Sequence, residues 1–492
     1  MPDLTIREAT IIDGTGSPGF TADVEITDGR ISAVGSGGNA PRELDGGGLV
    51  LCPGFVDTHT HDDGALLAYP GMEFKLAQGC TSLVIGNCGF SAVPNLPGAG
   101  GRGAAGGLLG QAADEFRDLH GYRAAVQQRR PALNYVSLIG HNTMRAAAMG
   151  DERRAPTDAE LDQMRKWVAE AMEQGACGLS TGLIYNPGRY SATEEVIALA
   201  QEVTPYGGLY ATHMRNEGDK LLDAVDEALR IGREAGIGVH ISHHKAAGRR
   251  NWGRVGESLA KVDAANAAEA DVTLDVYPYT AGSGRMIEYF NLDRISIELA
   301  EVIRLASCPA FPAYEGRMLV DIAEEEGVNL DDLVRRILTA ERGDRTICIH
   351  FTIDEADIET NLRHPLMMVG SDGIPDLRGQ PHPRLYGTMP RVLGEYVRER
   401  KVLDLAEAIR RMTSLSCDRF GLLDRGRIEE GAWADLVLFD PATVRDTATY
   451  DDPQQEPEGI ACVIVNGEVA YEDGVHTGAG AGRMLAYRRE SE

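Results

Sequence analysis

Between residues 51 and 420 the chain repeats one unit eight times: a short apolar run followed by an amphipathic segment of helical period. The runs are VDTH (56–59), SLVIGN (82–87), YVSLIG (135–140), CGLS (177–180), GLYATH (208–213), GVHIS (238–242), VTLDVY (272–277) and LMMVGS (366–371). Runs this short and this apolar suit strands covered on both faces, and helices between them make the strands parallel. The helical segments carry their own punctuation. TDAELDQMRKWVAEAMEQG opens on a capping box, Thr157-x-x-Glu160, and LLDAVDEALRIGREAG stops at a glycine. Eight such units predict an α/β fold, a (β/α)8 TIM-like barrel over 51–420.

The two ends differ from the middle. Residues 1–50 and 421–492 read as short strands, with hairpin signals at Asp28-Gly29 and Asn466-Gly467. Together they predict one small β-sandwich domain built from both termini. The stretch 284–348, between strands 7 and 8, is too long for a simple crossover and contains an apparent returning strand, TICIHF, so a lid-like insertion is expected. GAGGRGAAGGLLG (98–110), after strand 2, reads as a mobile Gly-rich linker.

Charge and cysteine usage narrow the function. A net charge of −27 disfavours nucleic acid, whose phosphates need clustered Lys and Arg. An anionic small molecule would need a local cationic patch. The N-terminus shows no basic region followed by an apolar run, no apolar stretch reaches the roughly 18 residues of a membrane span, and eight cysteines are scattered without a CxxC pair. A cytoplasmic location is expected, with the oligomeric state left open.

Functional residues of a barrel gather where its strands end. Here strand 1 runs into His59 and His61, strand 2 into Cys88, strand 5 into His213, strand 6 into His243 and His244, and strand 8 into Asp372. His59 and His61 lie two apart on an extended chain and share a face. Any one of these residues alone could be structural. Their convergence at one rim suggests a zinc site of thiolate, imidazole and carboxylate ligands.

The motifs PGFVDTHTHDD, GNCGFS, THMRNE, HISHHK, DVYPYTAGS and MVGSDG, in this order, resemble the D-aminoacylase (N-acyl-D-amino-acid deacylase) family of the amidohydrolase superfamily over nearly the whole chain. The resemblance implies one tightly held zinc on Cys88, His213 and His243, and a second, weaker position involving His59, His61 and Asp372. It also implies that Asp372 is the catalytic acid and base, and that Lys245, Tyr277, Ser283 and Arg384 contact the substrate and hold its carboxylate. The carboxylated lysine usual at the end of strand 4 in hydantoinases and dihydroorotases has no counterpart in STGLIYNPG, so Cys88 is expected to bridge instead.

The implied reaction is zinc-dependent hydrolysis of a linear amide, releasing a carboxylate and a free D-amino acid. Met286, Ile287, Tyr289 and Phe290 form an apolar cluster that suits hydrophobic D-residues, although core packing explains them equally. Arg285 is expected to face solvent; if it faced the site, it would favour N-acyl-D-glutamate or N-acyl-D-aspartate. The same metal chemistry would also serve a D-dipeptidase or a cyclic-amide hydrolase, the second less well without the strand 4 lysine.

Overall fold

The computed structural model describes residues 1–95, 116–150, 152–290 and 292–487. Eight parallel strands form its centre: β1 (Phe55–Asp57), β2 (Cys80–Ile85), β3 (Asn134–Gly140), β4 (Gly178–Gly182), β5 (Leu209–His213), β6 (Gly238–Ile241), β7 (Val272–Val276) and β8 (Met367–Val369). They pair in chain order. Past the strand ends, Thr60 and Gly373 make a parallel bridge and Asp372 N donates to His59 O at 2.7 Å, which brings the first and last strands together. Apart from Gly238, every residue of the eight strands is buried, as expected of strands lined on one face by the barrel interior and on the other by helices. All eight predicted runs coincide with a strand.

The helices begin and end where their caps dictate. Asp158–Glu173 starts with both halves of the Thr157–Glu160 capping box formed, and Leu221–Ala235 ends at Gly236 in the left-handed region with φ +72°.

The termini build a second sheet of nine strands. Leu4–Ile11 pairs in parallel with Val50–Pro53, which pairs antiparallel with Leu436–Phe439, so the two ends of the chain interleave in one layer. Ile31 N donates to Ala432 O and Ala434 N to Gly29 O, which folds the sheet back over a core that includes Ile6, Val24, Ile31, Leu436 and Ile464. Both hairpin signals are turns. Asp28-Gly29 has φ +51° and +77°, and Asn466-Gly467 has +49° and +85°, the paired positive φ of a tight hairpin.

Between β7 and β8 the chain forms a three-stranded antiparallel sheet of Gly282–Arg285, Ile347–His350 and Ile303–Ser307. The returning strand, Ile347–His350, lies in TICIHF, and the first strand of this sheet begins at Gly282. Its helices Leu319–Glu326 and Leu330–Thr339 pack on a separate core containing Met286, Phe290, Leu305, Ile322, Leu333 and Ile337. The Gly-rich stretch 98–110 lies outside the described residues.

Candidate metal centre and active site

Six side chains meet at the C-terminal rim of the barrel, and Cys88 is at their middle. Its Sγ is 3.3 Å from His59 Nε2, 3.4 Å from His243 Nε2 and 3.7 Å from His213 Nδ1. Asp372 Oδ1 lies 3.1 Å from His61 Nε2 and 3.5 Å from His59 Nε2. The ligand atoms of His59, His61, Cys88 and Asp372 all fall within 4.8 Å of one another, as do those of Cys88, His213 and His243, so the sulfur belongs to both sets.

Local backbone aims these groups. Cys88, His243 and Asp372 have φ of +54°, +34° and +50°, a region that costs a non-glycine residue about 1–3 kcal/mol and that the surroundings must enforce. At Cys88 the enforcement is close packing of loops: a Cβ on Gly182, the last residue of β4, would stand 2.2 Å from Cys88 O. The end of β4 thus supports the cysteine by backbone contact and contributes no lysine. Beneath Asp372, Lys75 Nζ donates to Asp57 Oδ2 at 2.6 Å and to Ser371 Oγ at 2.8 Å, and Ser371 N donates to Asp57 Oδ1 at 2.7 Å. This buried ion pair ties the turn after β8 to β1.

The electrostatics favour anions at the centre and cations around it. Burial pushes the Cys88 thiol up, but His59, His243 and His213 outweigh it and hold the group well below the usual thiol range. Burial likewise opposes ionisation of Asp372, yet Arg384 and the neighbouring imidazoles hold its carboxyl well below the usual carboxylate range. Burial lowers His61, while Asp372 and Cys88 raise it more, to about 9. A thiolate and a carboxylate therefore raise His59, His61 and His243, while burial keeps His213 lowered, and a divalent cation would supply the same charge balance. His61 Nδ1 and His213 Nε2 are buried without a hydrogen-bond partner, which fits rings not yet committed to one role. Soft sulfur with imidazole and one carboxylate is a donor set suited to zinc.

The four residues expected to meet substrate also come together. The Arg384 guanidinium lies 4.5 Å over the Tyr277 ring, and its Nη2 donates to Ser283 O at 3.2 Å. Its Nη1 is 2.9 Å from Asp372 Oδ2, an ion-pair distance without hydrogen-bond alignment. Lys245 Nζ sits 5.5 Å from the same Tyr277 ring.

Other expectations need correcting. Arg285 does not face solvent: it is 7% exposed, and its Nε and Nη2 both donate to Asp344 O, because the strand carrying it is folded into the insertion's sheet. Met286 and Phe290 belong to the insertion's own core, with Ile287 and Tyr289 packed against it. His244 turns away from its neighbour to Asn361 and Ser258.

Three residues at the site escaped the sequence reading. Glu217 lies behind His213 and His243 and pairs with Lys245 at 2.7 Å. Asp275 lies 3.3 Å from His59 Nδ1 and 2.8 Å from His240 Nε2, and accepts from His243 N at 2.8 Å. The Tyr185 ring lies 4.6 Å from that of His213 between centroids, tilted by 60°. Glu217 stands in THMRNE four residues after a ligand-type histidine, and Asp275 is a carboxylate inside an otherwise apolar strand; both were visible signals. Nothing in STGLIYNPG marked Tyr185.

The sequence matches the amidohydrolase family over residues 42–331 and 259–471. It is 42% identical to a D-aminoacylase of Alcaligenes xylosoxydans xylosoxydans over 98% of this chain and 97% of that protein. It is 43% identical to an N-acyl-D-glutamate deacylase of the same organism, over 94% and 93%. Among solved structures, the N-acyl-D-glutamate deacylase of Bordetella bronchiseptica, complexed with zinc and a phosphonate mimic of the reaction's tetrahedral intermediate, superposes with a TM-score of 0.92 at 40% identity over 99% of each chain.

Proposed function

This chain belongs to the D-aminoacylase branch of the amidohydrolase family, and on that premise we propose that it is a zinc-dependent hydrolase of N-acyl-D-amino acids, releasing a carboxylate and the free D-amino acid. The observation that carries the reading is a thiolate-favouring Cys88 within 3.3–3.7 Å of three imidazole nitrogens, at a rim where β4 offers no lysine. Cys88, His213 and His243 would hold the tightly bound zinc, and His59, His61 and Asp372, with Cys88, would hold a weaker second ion. When bound there, zinc lowers the pKa of a water to roughly 7 and polarises the amide carbonyl.

The chain's own groups do the rest. Asp372 enters the reaction ionised, takes the water proton, and returns it to the departing nitrogen. Arg384 is the counter-charge that keeps the carboxylate ready to accept. It also offers a planar fork to the substrate carboxylate, with Lys245 as a point charge and Tyr277 as a hydroxyl donor. A carboxylate anchored on that side lets only one hand of the α-carbon present its acyl group to Asp372. The insertion, whose Ser283 and Gly284 face the same space, acts as a cover over the rim.

Hydrophobic D-residues are the favoured class. The cavity beside His61 and Asp372 has walls from Phe90, Tyr185 and Ile374. Arg285 and Glu288 line the same cavity, with Arg285 Nε and Nη2 already donating to Asp344 O. The test is turnover of N-acetyl-D-leucine, -methionine, -phenylalanine, -glutamate and -aspartate against their L-forms. Faster cleavage of the three apolar D-substrates supports the full reading; preference for the acidic pair would make Arg285 the selecting residue; no cleavage of any would overturn it. Eight free, buried cysteines support a reducing compartment such as the cytoplasm, and among the described residues no helix is long and apolar enough to cross a membrane.

A further inference from the structure

One carboxylate stands behind both histidines of the tight site and beside the lysine assigned to the substrate. Glu217 Oε1 is 3.0 Å from His243 Nδ1 and 2.7 Å from Lys245 Nζ, and Glu217 Oε2 is 3.6 Å from His213 Nε2. The opposite nitrogen of each ring, His243 Nε2 and His213 Nδ1, is the one that faces Cys88. We propose that Glu217 is a positioning residue that fixes the tautomer and orientation of His243 for zinc and, through the same oxygen, holds Lys245 in place for the substrate carboxylate.

The proton count requires an acceptor at that position. A neutral imidazole carries one N–H, so a ring that gives its Nε2 lone pair to a metal keeps its proton on Nδ1. His243 Nδ1 has two neighbours in range, Glu217 Oε1 and Lys245 Nζ at 2.8 Å. An ammonium cannot accept a proton, so a ligating His243 has Glu217 as its partner, and Lys245 must direct its protons to the carboxylate instead. For His213 the roles of the ring nitrogens are exchanged, and Glu217 Oε2 lies 3.6 Å from Nε2, an ion-pair distance beyond hydrogen-bond reach. A carboxylate behind a metal-bound histidine fixes its tautomer and makes it a better donor. The His213 ring packs directly against the ring so held. The rings meet edge to face, with centroids 4.3 Å apart at 79°.

The inference rests on the zinc reading above, and the measurement that decides it, zinc affinity, needs no substrate. Purified enzyme is loaded with zinc and titrated with a competing chelator, as wild type, Glu217→Gln, Glu217→Ala and Lys245→Met; the visible spectrum of the cobalt-substituted proteins and KM for N-acetyl-D-methionine are measured in parallel. The expected result is a loss of zinc affinity of about 10–100-fold in Glu217→Ala, a smaller loss in Glu217→Gln, whose amide oxygen still accepts from one ring, and altered cobalt bands in both. Lys245→Met should keep zinc at wild-type affinity and raise KM. If Glu217→Ala and Glu217→Gln hold zinc like the wild type with an unchanged cobalt spectrum, the proposal is overturned. If Glu217→Ala does not fold, the Glu217→Gln titration decides alone. Wild-type enzyme that takes up no zinc would instead defeat the metal reading itself.

Discussion

The two sides of Cys88 are built differently. On one side, His213 and His243 point only nitrogen at the sulfur, and the nearest carboxylate, Glu217, stands behind the rings. On the other, Asp275 stands behind His59 in the same way, but a further carboxylate, Asp372, faces inward beside His59 and His61 and is paired with Arg384. An acid behind a ligand strengthens it; an acid in front, held ionised by an arginine, can itself accept a proton. The first side is therefore suited to holding an ion and the second to using one. Cys88 serves both because a single sulfur, lifted into the centre by a left-handed backbone turn, reaches either set.

The comparison breaks most completely at the shared atom. Cys88→Ala should remove zinc from both sides and reduce turnover by more than the loss of acid–base catalysis alone; metal analysis alongside an activity assay checks it, and a variant that keeps stoichiometric zinc would separate the two sides. Asp372→Asn should keep the tight zinc while kcat falls about 10²–10⁴-fold; loss of that zinc as well would show that the two sides do not act independently. Lys75→Met leaves Asp57 without its buried partner and should destabilise the protein by about 3–5 kcal/mol, read from denaturant midpoints. Arg384→Lys replaces a fork with a point charge and should cost about 1.5–3 kcal/mol in kcat/KM, chiefly through KM; an unchanged KM would leave Arg384 only its role on Asp372.

The smallest effect lies at the capping box of helix Asp158–Glu173, outside the metal site, and serves as a control. Hydrogen bonds from Arg154 and Thr157 lower the Glu160 carboxyl from 4.5 to about 2. A depressed carboxylate contributes stability that is present above pH 4.5 and lost as pH falls towards 2. Wild type should therefore exceed Glu160→Gln slightly at neutral pH, and the gap should close by pH 2 and shrink with salt, because the pair is exposed. Zinc binding should be the same in both. A Glu160→Gln variant that loses zinc would mean that the barrel rim responds to its outermost helices.

Much of the site was visible because barrel strands end in a ring, so ligand-type residues at strand termini must face one another. His59, His61, Cys88, His213, His243 and Asp372 follow from that rule together with the family motifs. Asp275 was visible too, as an acid inside an apolar strand, but a period-two pattern does not say which neighbour it meets. Its meeting with His59 and His240 depends on the registers of β6 and β7 and on the closure of the barrel between β8 and β1. Arg285 shows the opposite failure: an arginine after two glycines reads as loop, and only its antiparallel pairing with Ile347 turns it inward.

The sequence by itself determined the eight parallel strands, the two β-rich ends, the long segment before β8 and the kinds of atom at the rim. These are carried by local period, caps and turn residues, each readable within a few positions. Only the tertiary structure decided that Gly182 supports Cys88, that Arg384 pairs with Asp372, and that Glu217 stands behind two histidines at once. Those contacts join residues distant along the chain through side-chain directions of a few ångströms' tolerance, and it is the closing of the barrel, not any local preference, that sets them.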